Sequence, residues 1–357
     1  MSTATLDRPL ATTAHPYYSF GRLDSYNGQY NMAVGGRGIG KTYGRKLKAI
    51  KAALEKGDQF IYLRRYEKEL KAAKGTFVAD LLAQGEFGEW EFKLDGNKLL
   101  ASGIEFAGEK KRKWATLGYF LALSTGQSQK SVAFPLVKTI IFDEFIIEKG
   151  AIHYIPDEAN VFNNFYSTVD RGTDKTKVYF LANAVSINNP YFLEWEINEF
   201  NVGDIVRRKK LDDGSYFLVC EIVDSDAYAQ SLKKTKFGQF IKDTTYYEYA
   251  VGNQFSDNNE HLLEFKDGQA RYIYTLITTK GTFSVWHNGF TGTYYAQKKR
   301  PKEERIYVTE PHLMREGANL MLRNDKLQQY LRAAFNKGGL LFDEPQTRNS
   351  MIEIFKR

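Results

Sequence analysis

The chain has 357 residues, of which 43% are hydrophobic and 26% are charged, so it can bury a core and is long enough for two domains. Its formal net charge of +7 is compatible with a polyanionic partner without requiring one. The single cysteine, Cys220, excludes an internal disulfide and a cysteine-based zinc site. No apolar run approaches the ~20 residues of a membrane span. With no apolar signal-peptide core at the N-terminus, the sequence predicts a cytosolic protein without a membrane partner.

The first predicted elements form a strand–loop–helix–strand unit. QYNMAV (29–34) is predicted as a strand, and QFIYLRRY (59–66) as the next one. Between them Tyr43, Leu47, Ile50 and Leu54 recur at helical spacing, and the helix is expected to end at Gly57. This βαβ order predicts a parallel sheet.

Residues 86–186 supply further sheet material. Residues 86–123 are predicted as β-hairpin with a turn at Asp95-Gly96. KTIIFDEF (138–145) and KVYFLANAVS (177–186) are continuous apolar runs, typical of strands buried on both faces of a parallel sheet. The stretch 157–171 between them is predicted as a helix that leads into a polar turn.

The pattern changes towards the C-terminus. Residues 226–253 are predicted as helical and basic, and aromatic strands with glycine turns follow, then a helix over NDKLQQYLRAAFNKG. LLFDEP, which ends at Pro345, is interpreted as a turn because it follows a glycine pair and runs into proline. We therefore predict one domain over 1–220, a partly helical linker over 221–253 and an α+β domain over 254–357.

The loop after the first strand fits the phosphate-binding pattern G-x-x-x-x-G-K-[ST]. Glycines there let backbone N–H groups point at phosphates, and the following helix offers its positive N-terminal end. Lys41 would reach the β- and γ-phosphates of ATP, and the Thr42 hydroxyl would ligate Mg²⁺. The predicted nucleotide-binding residues are Gly35, Gly36, Arg37, Gly38, Ile39, Gly40, Lys41 and Thr42. This segment, residues 35–42, is called the glycine loop below.

A pair of acids ends the apolar run TIIFDEF. Asp143 would lie beside the glycine loop and hold Mg²⁺, and Glu144 would orient and deprotonate the attacking water. A second acid after the aspartate favours hydrolysis of the nucleotide over transfer to a small acceptor.

Three further polar residues are weaker candidates for contact with the nucleotide when only the sequence pattern is considered. Asn183 ends the next predicted strand, where it would face the nucleotide or simply cap the strand. Arg171, in a polar turn, and Lys130 could serve a neighbouring subunit's γ-phosphate or be solvated. The basic clusters at 108–114, 64–66 and 207–210 leave phosphate binding and solvation equally open.

Five segments, GGRGIGKTY, QFIYLRRY, PLVKTIIFDEF, YIPDEANVF and LANAVSINNPYFL, occur in an order and spacing that resemble the DNA-packaging ATPases, or encapsidation proteins, of small short-tailed phages with protein-primed replication. The resemblance covers about residues 17–195 and weakens beyond about 255. It implies an α/β fold, a P-loop NTPase with an additional catalytic glutamate and a central, mostly parallel sheet flanked by helices. It also implies a smaller C-terminal domain resembling an RNase H-like nuclease without activity.

The same resemblance implies a homo-oligomeric ring, most simply a pentamer, that docks on the portal of a procapsid in the host cytoplasm and drives double-stranded DNA inward with ATP and Mg²⁺. Lys41, Thr42, Asp143 and Glu144 match the family's catalytic positions, and Asn183 matches its sensor. Further matches are Arg171 with an arginine finger acting in trans and Lys130 with a basic residue that supports it. A packaging RNA is a further candidate partner.

Two alternatives remain at this point. The chain could be a complete terminase with an active C-terminal nuclease, although Asp267, Asp325 and Asp343 are scattered acids without a shared strand context. It could also be a P-loop NTPase that is not a motor, such as a small-molecule kinase. Glu67 follows the RRY segment where the best-known relative is basic, which puts a DNA contact there in doubt.

Overall fold

Two sheets, one mostly parallel and one mixed, organise the chain in a computed structural model. The structure describes residues 17–109, 112–129, 132–147, 153–187, 189–197, 199–242, 263–298, 305–322, 325–336, 339–344, 347–348 and 350–351. These residues fall into two units. The first is Met1–Ser186 with Glu199–Ser256, and the second is Ile187–Asn198 with Asp257–Arg357.

The helices of the described residues are α1 (Gly21–Ser25), α2 (Lys41–Lys56), α3 (Glu67–Lys74), α4 (Ala79–Ala83), α5 (Glu158–Asp170), α6 (Pro190–Glu194), α7 (Asp226–Lys233), α8 (Lys236–Ile241) and α9 (Lys326–Asn336). The strands are β1 (Tyr30–Gly35), β2 (Gln59–Arg64), β3 (Trp90–Asp95), β4 (Lys98–Gly103), β5 (Ala115–Ala122), β6 (Val137–Asp143), β7 (Lys177–Asn183), β8 (Ile205–Lys210), β9 (Tyr216–Ile222), β10 (Arg271–Thr278), β11 (Gly281–Asn288), β12 (Thr293–Gln297), β13 (Ile306–Val308), β14 (Ala318–Leu320) and β15 (Leu340–Phe342).

The sheet of the first unit has the strand order β3-β4-β5-β2-β6-β7-β1-β9-β8 within the described residues. The pairs from β5 to β9 are parallel, and the two outer edges are antiparallel. The parallel sheet predicted from the βαβ pattern is therefore confirmed. One strand, β7, lies between β1 and β6, so the acids at the end of β6 are separated from the glycine loop by one additional strand.

Glycines mark the ends of α2 and the turn of the β3–β4 hairpin, as the sequence predicted. Helix α2 begins after Gly40 and ends before Gly57, and both glycines have positive φ of 85° and 74°. Ile50 is fully buried on its inner face, as the helical spacing predicted. The β3–β4 hairpin turns at Gly96, with φ 56°, and Cys220 is buried as a small apolar side chain. No helix among the described residues is long and apolar enough to cross a bilayer.

The second unit has a six-stranded sheet in the order β14-β13-β10-β11-β12-β15. An antiparallel meander, β10–β11–β12, is extended by β13 parallel to β10 and by β14 parallel to β13. This arrangement agrees with the RNase H-like α+β expectation. The interpretation of LLFDEP as a turn is wrong, because Leu340–Phe342 is β15 and pairs in parallel with β12. Pairing with β12, which is distant in sequence, makes this short apolar run a strand, whereas its flanking glycines and proline indicated a turn.

The unit boundaries differ from the predicted domains in two places. Residue 220 lies inside β9, which pairs with β1 and so completes the first sheet. Residues 187–198, which the sequence assigned to the first domain, group with the second unit. The part of the predicted linker beyond residue 242 lies outside the described residues.

Candidate functional site

The glycine loop joins β1 to α2 at the carboxyl edge of the parallel sheet. Gly38 and Gly40 have φ of 79° and 85°, a left-handed conformation that residues with a Cβ rarely adopt. Gly35, Gly36 and Ile39 are buried, whereas Arg37 is exposed. The loop thus has the backbone that turns consecutive N–H groups towards an anion.

Lys41 begins α2 and folds back into the loop. Its Nζ donates to the carbonyl oxygens of Gly35 at 3.1 Å and Gly36 at 2.7 Å, and to Oδ1 of Asn183 at 3.4 Å. Burial lowers the pKa of the Lys41 ammonium to about 7, and the nearby Asp143 carboxylate opposes that shift. A buried cation without a full counter-charge suits an anionic ligand such as a triphosphate.

Thr42 and Asp143 meet directly, although about 100 residues separate them. The Thr42 hydroxyl donates to Oδ1 of Asp143 at 2.9 Å, and the Tyr62 hydroxyl donates to Oδ2 at 2.7 Å. Burial is the main cause that raises the pKa of Tyr62 well above its usual value, and the negative charge of Asp143 adds to it. The phenol therefore keeps its proton and donates a hydrogen bond to Asp143. The carboxylate is thereby fixed with one oxygen towards the glycine loop.

Glu144 follows in the left-handed conformation, with φ 55°. Its side chain is 60% exposed and forms an ion pair of 2.5 Å with Nη2 of Arg64, whose Nη1 lies 3.3 Å from Asp143. Burial would lower the pKa of Arg64, but its interactions with Tyr62 and Asp143 raise it above the usual value. A permanently charged arginine therefore bridges the two acids.

Arg65, the next residue, is buried and contacts the backbone turn that carries Glu144. Its Nε contacts both carboxylate oxygens of the fully buried Glu158, at 3.0 and 2.7 Å. Its Nη atoms donate to the carbonyl oxygens of Glu144 at 3.2 Å and Phe145 at 2.6 Å. The backbone that carries Glu144 is consequently fastened to β2 and α5.

Sequence reasoning grouped Arg64 and Arg65 as a basic cluster with either phosphate binding or solvation. They are not solvated, because both side chains are buried against acids of their own unit. A usable signal was present, since charged residues that directly follow a continuous apolar strand lie at the carboxyl edge of a parallel sheet. Only the structure shows which acids these two arginines contact.

Asn183 ends β7 and lies beside Gly35 in the strand register. Arg171 lies at the other end of the same strand, because it precedes Lys177, and β7 spans seven residues, or about 20 Å. It is exposed, with φ 53°, and its Nη2 donates to the carbonyl oxygen of Val132 at 3.3 Å. The structure therefore does not bring Arg171 to the glycine loop of its own chain. Lys130 lies outside the described residues.

The remaining candidates behave differently from one another. Arg112 of the 108–114 cluster is held on the β3–β4 hairpin by Glu91 and by carbonyl oxygens of residues 102–103, while Arg207 on β8 is exposed. In the second unit, Asp267 accepts from Asn288 at 2.7 Å and Tyr295 at 3.0 Å. Among the described residues, no group of three or more acidic, histidine or cysteine side chains could hold a metal ion.

Thr42 and Asp143 offer Mg²⁺ the oxygen ligands that it prefers. The hydroxyl and carboxylate oxygens lie 2.9 Å apart, at the mouth of the glycine loop. Mg²⁺ is typically held by one or two carboxylates together with substrate phosphates and water, rather than by a cage of protein ligands. The residues present therefore fit a Mg²⁺-nucleotide.

Comparison with known proteins agrees with this geometry. The family model described as Podovirus DNA encapsidation protein (Gp16) matches residues 13–357. The chain is 33% identical over 345 residues to the DNA packaging protein of Bacillus phage phi29, covering 96% of this chain and 97% of that protein. It is 34% identical over 337 residues to the DNA packaging protein of Bacillus phage B103, covering 93% and 98%.

Among solved structures, the bacteriophage Phi-29 viral genome packaging motor assembly matches with a TM-score of 0.69 at 29% identity. The match covers 96% of this chain and 99% of that one. Since the family model spans nearly the whole sequence and the phage relatives exceed 30% identity over most of their length, the chain belongs to the Podovirus DNA encapsidation protein (Gp16) family.

Proposed function

We propose that the chain is the ATPase subunit of a homo-oligomeric ring motor that drives double-stranded DNA into a viral procapsid inside the host cell. The observation that carries the ATPase assignment is the contact of 2.9 Å between Thr42, at the end of the glycine loop, and Asp143, at the end of β6. Two remote motifs that sequence reasoning paired on chemical grounds are adjacent in space. The motor assignment is supported by family membership and by the similarity to a packaging motor assembly.

In this proposal the glycine loop and Lys41 bind the β- and γ-phosphates of ATP. Thr42 and Asp143 hold Mg²⁺, which supplies positive charge that neutralises the phosphates. To bind the triphosphate, Lys41 exchanges its contacts with the carbonyl oxygens of Gly35 and Gly36 for phosphate oxygens. Asn183, 3.4 Å from the Lys41 ammonium, is then close enough to contact the γ-phosphate or the attacking water.

Glu144 is the proposed general base. Its exposed carboxylate is at the carboxyl edge of the sheet, but one carboxylate oxygen is held by the Arg64 guanidinium at 2.5 Å. Glu144 must leave Arg64 before it can accept a proton from water. Hydrolysis therefore depends on a movement of one side chain, which nucleotide, DNA or a neighbouring subunit could control.

Arg171 is proposed to act on the nucleotide of a neighbouring subunit. Its separation from its own glycine loop by the length of β7 supports a role in trans over one in cis. The turn that carries it is well fixed, because Asp170 accepts hydrogen bonds from four backbone N–H groups of residues 173–176. The supporting role of Lys130 stays a prediction from the sequence.

The DNA is proposed to be held through its phosphates, so binding should be independent of sequence and strongly reduced by salt. Two exposed basic segments of the first unit are candidates. One is β8, with Arg207, and the other is the α7–α8 segment, with Lys233, Lys234, Lys236 and Lys242. The portal of the procapsid is the proposed docking partner, a pentamer the proposed ring, and a packaging RNA a further candidate.

A mixing experiment tests sharing of the active site. Glu144→Gln subunits and Arg171→Ala subunits are each expected to be inactive, and mixtures should recover hydrolysis because some sites combine an intact Glu144 with an intact Arg171. Arg22→Ala, at an exposed arginine that pairs with Glu221, is the matched control and should keep wild-type turnover. Turnover near wild type in pure Arg171→Ala protein would refute the finger assignment.

A titration tests the motor. ATP hydrolysis per subunit is expected to rise with protein concentration, as subunits complete one another's sites, and to respond to duplex DNA. A specific rate that is independent of both concentration and DNA would instead favour an NTPase that is not a motor.

A further inference from the structure

Two tyrosines lie over the glycine loop on the side away from the candidate hydrolysis residues. Asp143 and Asn183 end β6 and β7, on one side of β1, whereas β9 lies on the other side. Tyr228 is carried by α7, which follows β9, and Tyr17 precedes α1. The glycine loop therefore separates two chemically different surfaces, one acidic and one aromatic.

Both tyrosines touch glycines of the loop. A Cβ added at Gly38 would lie 2.5 Å from the Tyr228 hydroxyl oxygen, and one added at Gly40 would lie 3.4 Å from the Tyr17 ring. The backbone N–H of Tyr18 donates to the carbonyl oxygen of Ile39 at 2.8 Å, which fastens the segment that carries Tyr17 to the loop. These glycines thus permit close approach of the rings as well as a left-handed backbone.

The two rings do not stack on one another. Their centroids are 6.3 Å apart and their planes are tilted by 37°. Tyr17 is 52% exposed, while Tyr228 is half-buried and packs partly against the core.

A triphosphate in the loop has a defined direction. Its γ-phosphate faces Asp143 and Glu144, so its α-phosphate, ribose and base extend to the opposite side of the loop. We propose that Tyr17 and Tyr228 form a stacking platform for the nucleotide base, a proposal that rests on the proposed phosphate site. Stacking on aromatic rings reads the face of a base and strengthens with its area, so the platform favours purine over pyrimidine nucleotides.

Calorimetry of the full chain with Mg²⁺ tests the platform with three ligands: ATP, UTP and inorganic tripolyphosphate. The variants are Tyr17→Ala, Tyr228→Leu, which keeps apolar volume against the core, and their combination. The double variant should bind ATP about tenfold or more weakly and lose the preference for ATP over UTP. Its affinity for tripolyphosphate should stay within about twofold of wild type, because the phosphate contacts remain.

Matched controls keep the result specific. Tyr17→Phe and Tyr228→Phe retain the ring faces and should bind ATP like wild type, as should Tyr330→Ala, at an exposed tyrosine of the second unit. Equal losses for ATP and tripolyphosphate would show damage to the loop and overturn the platform, as would unchanged ATP affinity in the double variant. Wild-type protein that binds neither ligand would refute the phosphate site itself, and the platform with it.

Discussion

The tripeptide Phe-Asp-Glu occurs in both units, as Phe142-Asp143-Glu144 and as Phe342-Asp343-Glu344, each at the end of an apolar strand. In the first unit the strand is internal, and the acids meet Thr42, Tyr62 and Arg64. In the second unit β15 is an edge strand, and Lys298 binds both acids. Its backbone N–H donates to Asp343 at 2.8 Å, and its Nζ contacts Glu344 at 3.2 Å.

The difference shows that the chemistry of such acids comes from neighbouring strands. An internal parallel strand delivers its last residues to an edge shared with other strand ends, where buried arginines and a phosphate-binding loop converge. At the end of β15 the two acids are partly exposed, and the Lys298–Glu344 pair is screened by solvent. Paired substitutions in the two tripeptides can therefore separate local sequence from context.

The largest contrast is expected between Glu144→Gln and Glu344→Gln. Removal of a general base typically lowers turnover by about 10²–10⁴-fold, so Glu144→Gln should lose nearly all ATP hydrolysis while it still binds nucleotide. Glu344→Gln should hydrolyse ATP at the wild-type rate. Steady-state hydrolysis and equilibrium nucleotide binding measure the two effects, and comparable losses in both variants would contradict the assignment.

Next is the stability provided by the basic residue that contacts each tripeptide, Arg65 in the first unit and Lys298 in the second. Arg65→Ala leaves Glu158 buried without its partner and should lower the free energy of unfolding by about 3–5 kcal/mol. Lys298→Ala removes a largely exposed pair and should cost less than about 1 kcal/mol. Thermal unfolding of the full chain gives the comparison.

An apolar double variant serves as its control. Arg65→Met with Glu158→Leu removes both charges and should recover much of the stability lost in Arg65→Ala. If the double variant is as unstable as the single one, packing at this position, and not the unpaired charge, explains the loss.

Asp170 allows a smaller, pH-dependent test. Although burial would raise the pKa of its carboxyl group, the hydrogen bonds from backbone N–H groups outweigh burial and lower it. The carboxylate therefore stabilises the fold above the unfolded pKa of about 3.9, and this contribution is lost as pH falls through the lowered value. Asp170→Asn should cost about 1.5–3 kcal/mol at pH 7.

The cost of Asp170→Asn should shrink as unfolding is followed from pH 5 to pH 2. Asp343→Asn, where the carboxylate accepts from the backbone of Lys298, is the matched control and should show a smaller cost at pH 7. A cost for Asp170→Asn that stays constant down to pH 2 would exclude the ionised carboxylate as its source.

Much of the first unit followed from the sequence because its signals are local. The glycine loop, the helix ending at Gly57 and the apolar strands each depend on residues within a few positions. Strand order is not local, so the position of β7 between β1 and β6 appeared only in the structure. Contacts across strands were missed, as for Arg64 with Glu144, because periodicity does not say which strand ends are neighbours. The strand at Leu340 was missed for the same reason.

The smallest effect concerns the arginine that holds Glu144. In Arg64→Ala the glutamate loses its ion pair of 2.5 Å, so its carboxylate becomes free to move towards the attacking water. Hydrolysis in the absence of DNA should therefore rise several-fold, whereas Lys298→Ala, which frees Glu344, should leave the rate unchanged. Arg64→Lys keeps a positive charge beside Asp143 without a fork that reaches both acids, and an intermediate rate is expected. A fall in the rate of Arg64→Ala, with nucleotide binding and thermal stability preserved, would instead show that Arg64 assists hydrolysis directly.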